Sequence, residues 1–202
     1  MPSPRRVVLA SASPSRLTLL RNAGIEPDVV VSGVDEDGVD HLVPREAVVA
    51  LAGRKAAAVA ARVDDALVIG CDSMLAIDGT VRGKPRSVDE ARTWLRGWRG
   101  RTGILLTGHC VIDTTTSPER RVADAMSTVV RYGDPTDAEL EAYLATGEAL
   151  QVAGAFTLDG YSAPFVAGID GDPGSVIGLS LPLLRTLLGR LDIPITDLWT
   201  KP

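Results

Sequence analysis

The sequence is short of the residues that build metal centres and cross-links. It has two cysteines, Cys71 and Cys110, and two histidines, His41 and His109. None falls at the paired spacings by which such residues hold zinc. Both cysteines lie in apolar runs, as expected of reduced, buried thiols in a cytosolic protein. Long hydrophobic runs are also missing. No apolar stretch approaches the roughly 18 residues of a membrane span, and the start of the chain lacks a signal-peptide core. The expected location is therefore the cytoplasm. Positive charge is not in surplus either, since the formal net charge is −5. That argues against nonspecific binding to nucleic acid or to an anionic membrane. A chain so charged that binds an anion must gather its cations locally or use a metal. Repeats, linkers and low-complexity tracts are absent. With 202 residues, 45% hydrophobic and 23% charged, the composition is that of a soluble globular protein. One sizeable domain over 1–202, with room for two lobes, is expected.

What is present first draws attention at "LASASPSR", residues 9–16. A short apolar run, Val7 to Ala10, hands over to a helix. Pro14 suits the first helical position and Ser13 is a good N-cap. Free N–H groups, two hydroxyls and Arg16 in the first turn could hold a phosphate. Taken alone, the stretch reads as an ordinary strand–helix junction.

Further on, strand and helix signals alternate. The first helix turns Leu17, Leu20 and Ala23 inward and stops at Gly24. Val29 to Val31 reads as a strand, and "GVDEDGVD" (33–40) as an acidic loop. Pro44 opens an alanine-rich helix to about Val63, with Val48, Leu51, Ala52 and Val59 inward. Lys55 falls on that same stripe, so it either snorkels out or reaches an interior anion. Ala66 to Cys71 is a continuous apolar run, the mark of a strand buried on both faces. It ends in Asp72, which is either a turn aspartate or a group placed where α/β sheets keep their ligands. "MLAIDGTVRGKP" follows as a hairpin turning at Asp78-Gly79 and delivering Gly83-Lys84-Pro85. This is not a Walker A loop.

Ser87 to Glu90 and Thr136 to Glu139 are two capping boxes. The first opens a helix with Ala91, Trp94, Leu95 and Trp98 inward, and the second a helix closed by Gly147. Between them lie two strands, "GILLTGHCVID" and "VADAMSTVVRY", paired across a turn over 114–121. A glycine-rich region over 153–178 implies short strands and tight turns. A leucine-rich helix follows at about Pro182–Leu191. His41 reads as a loop histidine and His109 as a strand histidine.

Seven stretches in order give the chain a resemblance over nearly its whole length. They are "SASPSRLTLLRNAGI", "VDED", "LAGRKAAAVA", "VIGCDS", "RGKP", "EAYLATGEALQVAGAFTLDG" and "GDPGSVIGLSLPL". With them the chain resembles the Maf family of nucleoside triphosphate pyrophosphatases. The resemblance implies an α/β fold, an elongated mixed β-sheet with flanking helices and a cleft between two lobes, similar to the inosine triphosphate pyrophosphatases. It implies that Ser11, Ser13 and Arg16 bind phosphate. Lys55 and Lys84 would meet the triphosphate and, with Asp72, form the catalytic set. Glu36 and Asp72 would hold Mg²⁺ or Mn²⁺, Asp72 doubling as the base for water. Ser15 and Ser73 stand where the family has arginine and threonine. Asp159 stands where one branch has the glutamine of dTTP/UTP enzymes and another the glutamate of 7-methyl-GTP enzymes. The Leu-Pro-Leu near the C-terminus is also shifted, with Ser180 after Gly178-Leu179.

The implied activity is removal of modified or non-standard nucleotides, with a nucleoside triphosphate as the molecular partner. Related proteins dimerise, so a homodimer is an allowed expectation. The alternative reading is a regulator of cell division and septum formation acting through a partner. Replacing Lys55 or Lys84 is expected to impair turnover with little change in melting temperature.

Overall fold

A computed structural model of the chain describes residues 5–39 and 41–200. Asp40, the last residue of the acidic loop, lies outside them. Seven strands form one mixed sheet: β1 (Val7–Leu9), β2 (Asp28–Val29), β3 (Leu67–Ile77), β4 (Thr80–Arg82), β5 (Thr102–Asp113), β6 (Arg120–Tyr132) and β7 (Val166–Asp170). Their order is β2-β1-β3-β5-β6-β7, with β4 paired to β3. The pairs β1–β2 and β1–β3 are parallel, and β3–β4 and β6–β7 antiparallel. Among the described residues six α-helices accompany them, besides short 3-10 turns: α1 (Pro14–Asn22), α2 (Pro44–Ala60), α3 (Val88–Trp98), α4 (Asp137–Ala145), α5 (Pro173–Ile177) and α6 (Leu181–Gly189). The α/β class and the mixed sheet agree with expectation.

Two compact units divide the chain, and the divisions fall inside β3, β5 and β6. The first takes residues 1–72, 107–126 and 178–202, and the second 73–106 and 127–177.

In the first unit, strand alternation explains the uninterrupted apolar runs. Val7 and Leu9 join Leu67, Ile69, Cys71 and Val111 in a cluster with Leu20 of α1 and Leu184 and Leu187 of α6. Val8 and Ala10 join Ala66, Val68, Cys110 and Ile112 against Ala52, Ala56 and Val59 of α2. Helix α2 lies unusually close to the strands. A Cβ at Gly70 would fall 2.3 Å from the Ala52 carbonyl oxygen, and one at Gly108 2.2 Å from that of Val48. The α2-facing positions are therefore Ala66, just ahead of β3, then 68, 70 and, by the same alternation, 72 of the strand.

The second unit has its own core. Leu75 and Ile77 of β3, Leu105 of β5, and Val130 and Tyr132 of β6 pack on Trp94, Leu95 and Trp98 of α3 and on Leu140, Tyr143 and Leu144 of α4. The Asp78-Gly79 turn has φ of 49° and 73°, the two positive values that a tight two-residue hairpin needs.

Four expectations are corrected. Strand β3 does not end at Asp72 but runs on to Ile77. The run Val29–Val31 gives only the two-residue, exposed edge strand β2. Helix α2 stops at Ala60 rather than Val63. At Ser87 only half of the capping box forms: Ser87 Oγ accepts from Glu90 N–H, while the Glu90 carboxylate takes Arg86 N–H instead. The Thr136 box is complete.

The close approach of α2 makes a testable contrast. Gly70→Ala and Gly108→Ala must push helix backbone rather than a mobile side chain, and each is expected to cost more than about 2 kcal/mol. Gly97→Ala, in α3 with open space around its Cβ position, should instead gain about 0.5–1 kcal/mol of helix stability. Urea unfolding of the three variants checks the ranking.

Candidate active site

Because even-numbered residues of β3 face α2, Asp72 is turned toward Lys55. The Lys55 Nζ lies 2.5 Å from Asp72 Oδ1 and 2.6 Å from Glu36 Oε1. Only 11% of the lysine side chain and 8% of the aspartate side chain are exposed. Lys55 therefore does not snorkel; it meets the interior anion that was its other reading. Burial pushes the Asp72 carboxyl above the ordinary carboxylate range, against the pull of Lys55 and Arg16 and with some help from Glu36. A carboxyl that favours its proton more than usual is a stronger base once ionised.

Glu36, largely exposed, reaches Lys55 from the acidic loop. Arg54 of α2 and Arg62, just past its end, hold that loop and the stretch leading into it by backbone: Arg54 donates to Asp37 O at 2.7 Å, and Arg62 to Val31 O and Ser32 O at 3.2 and 3.4 Å. The sequence reading missed both arginines. Their spacing from Lys55 on the helix was the available signal, but it does not say which loop they reach.

The "SASPSR" turn assembles as its local chemistry suggested. Ser13 Oγ caps α1 by accepting from Arg16 N–H at 3.4 Å. Ser11 Oγ accepts from Ser13 N–H at 3.2 Å and from Arg16 Nη1 at 3.1 Å. Both lone pairs of the Ser11 hydroxyl are thus engaged and its hydrogen is left to donate. Arg16 Nε donates to Gly178 O at 2.8 Å. Ser15 is half-buried in the first turn of α1. The first unit thus brings Ser11, Ser13, Arg16, Glu36, Lys55 and Asp72 into one electrostatic neighbourhood. Cys71, next to Asp72, is no nucleophile there, since burial pushes its thiol up to about 11.

In the second unit, Ser73 follows Asp72 on β3 and faces the other side of the strand. Lys84 is exposed, on the stretch after β4. That stretch is anchored on both sides. The Arg82 guanidinium stands 5.0 Å over the Trp94 ring, and Gly83 O accepts from Gly154 N–H at 2.9 Å. The second bond ties the Lys84 stretch to the segment that leads to Asp159. Asp159 is exposed, and its Oδ1 accepts from Thr157 Oγ1–H. Beyond it, Glu148 holds the turn by accepting from Tyr161 N–H at 2.8 Å and Ser162 N–H at 3.2 Å. The sequence reading did not single out Glu148, whose partners lie 13 and 14 residues away on an irregular segment.

Among the described residues no three of His, Cys, Asp and Glu converge as a metal cage. The carboxylates of Glu36 and Asp72 meet at one common point, the Lys55 ammonium.

The family model described as Maf-like protein matches residues 6–191. A Streptomyces coelicolor protein named nucleoside triphosphate pyrophosphatase is 59% identical over 201 residues, covering 98% of this chain and 97% of its own. One of the same name from Streptomyces avermitilis is 57% identical over 198 residues, covering 97% and 95%. A third, from Rhodococcus erythropolis, is 52% identical over 205 residues, covering 96% of each.

The ion pair alters the expectation for Lys55. Replacing it by Met leaves Asp72 buried beside Glu36 with no ammonium between them. Such a loss costs about 3–5 kcal/mol at pH 7. The sign with pH follows from the raised carboxyl. The penalty is full above the folded-state pKa of Asp72 and absent below the unfolded value near 3.8, so it shrinks as pH falls through that window. Unfolding of the metal-free wild type and Lys55→Met at pH 7 and pH 4 measures it. An equal deficit at both would place the effect elsewhere.

Proposed function

The chain belongs to the Maf family, and from that premise we propose that it is a nucleoside triphosphate pyrophosphatase. It is a hydrolase of acid anhydrides that converts a nucleoside triphosphate and water to the monophosphate and pyrophosphate. The observation that carries the reading is the buried Lys55–Asp72 pair, with Glu36 on the same ammonium and Arg16 near enough to act on the Asp72 charge. A buried base beside several cations suits attack of water on a polyanion.

In this reading water bonds to the α-phosphorus and the bond to the bridging oxygen breaks. Asp72 takes the water proton. Negative charge grows on the leaving pyrophosphate, where Lys55, Lys84 and Arg16 stabilise it electrostatically. Ser11 donates its hydroxyl hydrogen to a phosphate oxygen, and Ser13 and Ser15 line the substrate's path. Glu36 and Asp72 would hold a divalent cation. Two hard oxygen donors, with the remaining positions left to water and phosphate, suit Mg²⁺ or Mn²⁺. When bound, that ion polarises phosphate and lowers the cost of forming hydroxide.

Asp159 bears on the choice of base. Guanine presents two adjacent donors on its Watson–Crick edge, both of which one carboxylate can accept. Uracil and thymine present a carbonyl on each side of a single N–H. Asp159 therefore favours a guanine-type base, 7-methylated or not, over UTP and dTTP. Modified or non-standard nucleotides are the proposed physiological substrates. The cytoplasm is the proposed location, in keeping with two buried free thiols, and no helix among the described residues is long and apolar enough to cross a membrane. A homodimer belongs to the same proposal. The regulatory reading in cell division is set aside, because the relatives named above carry an enzymatic name.

Two measurements test this. Asp72→Asn should keep the fold yet lose roughly 100- to 10,000-fold in kcat/KM; activity within a few-fold of wild type removes Asp72 from the mechanism. Pyrophosphate release from GTP, 7-methyl-GTP, UTP and dTTP, with Mg²⁺ or Mn²⁺, should favour the guanine nucleotides tenfold or more, as a mismatch of about 1–3 kcal/mol implies. An unchanged ranking in Asp159→Asn would show that Asp159 does not read the base.

A further inference from the structure

His109 is fully buried on β5, and its ring is committed at both nitrogens. Ser180 N–H can only donate, and it lies 2.8 Å from His109 Nε2. That nitrogen is therefore the acceptor, which puts the ring proton on Nδ1, 3.0 Å from Thr107 O. Both bonds are shielded from water, since Thr107 and Ser180 are fully buried as well.

Ser180 is the N-cap of α6, its Oγ accepting from Leu183 N–H at 3.1 Å. Two residues before it, Gly178 is the group that receives Arg16. Its carbonyl accepts from Arg16 Nε at 2.8 Å. Its own Cα is so near that an added Cβ would come within 3.1 Å of that nitrogen. Leu179, between them, is locked in the core. The segment 178–180 is thus fixed at one end by His109 and presents at the other a carbonyl that aims the guanidinium. Arg16 Nη1 then meets Ser11 Oγ.

We propose that His109 is a positioning residue for the triphosphate site: through Ser180 and Gly178 it sets where the Arg16 guanidinium points. The inference rests on the reading of Arg16 as a phosphate ligand. His109 itself touches neither substrate nor the reacting atoms. Its contribution is an acceptor of fixed height above β5, which holds the start of α6 and with it the Gly178 carbonyl. An imidazole suits the task because it accepts on one side and donates to its own strand on the other, so the ring cannot swing.

A double-mutant cycle on kcat/KM tests this, using whichever of GTP, 7-methyl-GTP, UTP and dTTP is turned over fastest. His109→Leu removes the acceptor and should lower kcat/KM tenfold or more, as a misplacement of about 1 Å in a binding group does. His109→Gln offers Ser180 N–H an amide oxygen and should recover most of that loss. In an Arg16→Ala background, His109→Leu should cost less than twofold, because the group it positions is gone. A histidine that served only stability would lower the melting temperature and act equally in both backgrounds. Multiplicative effects in the cycle therefore overturn the proposal, as does a His109→Leu enzyme within twofold of wild type. If Arg16→Ala alone is as active as wild type, the phosphate reading of Arg16 falls and this inference falls with it. Should His109→Leu fail to fold, His109→Met, closer in length and without a good acceptor, takes its place in the cycle.

Discussion

Helix α2 lies on the sheet with almost no gap, and the catalytic proposal depends on that approach. Gly70 and Gly108 present no side chain where the carbonyls of Ala52 and Val48 arrive. Ala52 and Ala56 keep the helix side of the contact equally small. At such a distance a lysine on the inner stripe of the helix has nowhere to run except along the strand. Lys55 ends on Asp72, two residues beyond Gly70 on the same face of β3. The glycines thus do more than avoid a clash: they convert a helix–sheet contact into a buried charge pair. Water is excluded from the pair by the same packing, so its charges act on one another at low dielectric.

The cost of that arrangement appears at Asp72. Taking a carboxylate out of water is unfavourable, and its raised proton affinity is the sign of it. Hydrophobic residues of similar size would pack there with less strain on the charge balance. A buried ion pair is weak evidence of design for stability, and this one is better understood as stability given up for chemistry. The supporting contacts fit that view. Arg54 and Arg62 hold the Glu36 loop by its carbonyls, which leaves the carboxylate itself to Lys55. In the second unit, Gly83 to Gly154 and Glu148 to the 161–162 amides likewise fix backbone and leave Lys84 exposed and Asp159 outward.

Much of this was legible in the sequence where a local rule governs. The Pro14 and Thr136 helix starts, the Asp78-Gly79 turn and the inner stripe of α2 follow from capping, φ preference and period. Asp72 shows where such rules fail. A carboxylate and a serine after six apolar residues read as the end of a strand, because an unpaired charge does not belong in one. The strand continues only because Lys55, 17 residues earlier, supplies the counter-charge, and no local window contains that fact. Val29 to Val31 failed for the opposite reason: three β-branched residues favour a strand, but the pairing with β1 covers Asp28 and Val29 and stops after Val30 N–H bonds Leu9 O. Arg54, Glu148 and His109 act through backbone groups far away in sequence. Backbone donors and acceptors leave no mark on residue type, so pattern alone could not find them.

Charge counting links the pair to the proposed substrate. Glu36 and Asp72 carry two negative charges and share one ammonium, so the group holds a net negative charge when alone. That is a poor receiver for a triphosphate and a good one for a cation. A divalent ion held by the two carboxylates would reverse the sign, and Arg16, already aimed by Gly178, would add to the attraction. On this reading the acidity of the chain as a whole is no obstacle to a polyanionic substrate. In the proposed reaction Glu36 and Asp72 would hold the ion, and Lys55, no longer needed to balance both carboxylates, would be available to a phosphate oxygen. The lysine held by two acids in the resting protein would then be the one that meets the triphosphate, with its partner exchanged.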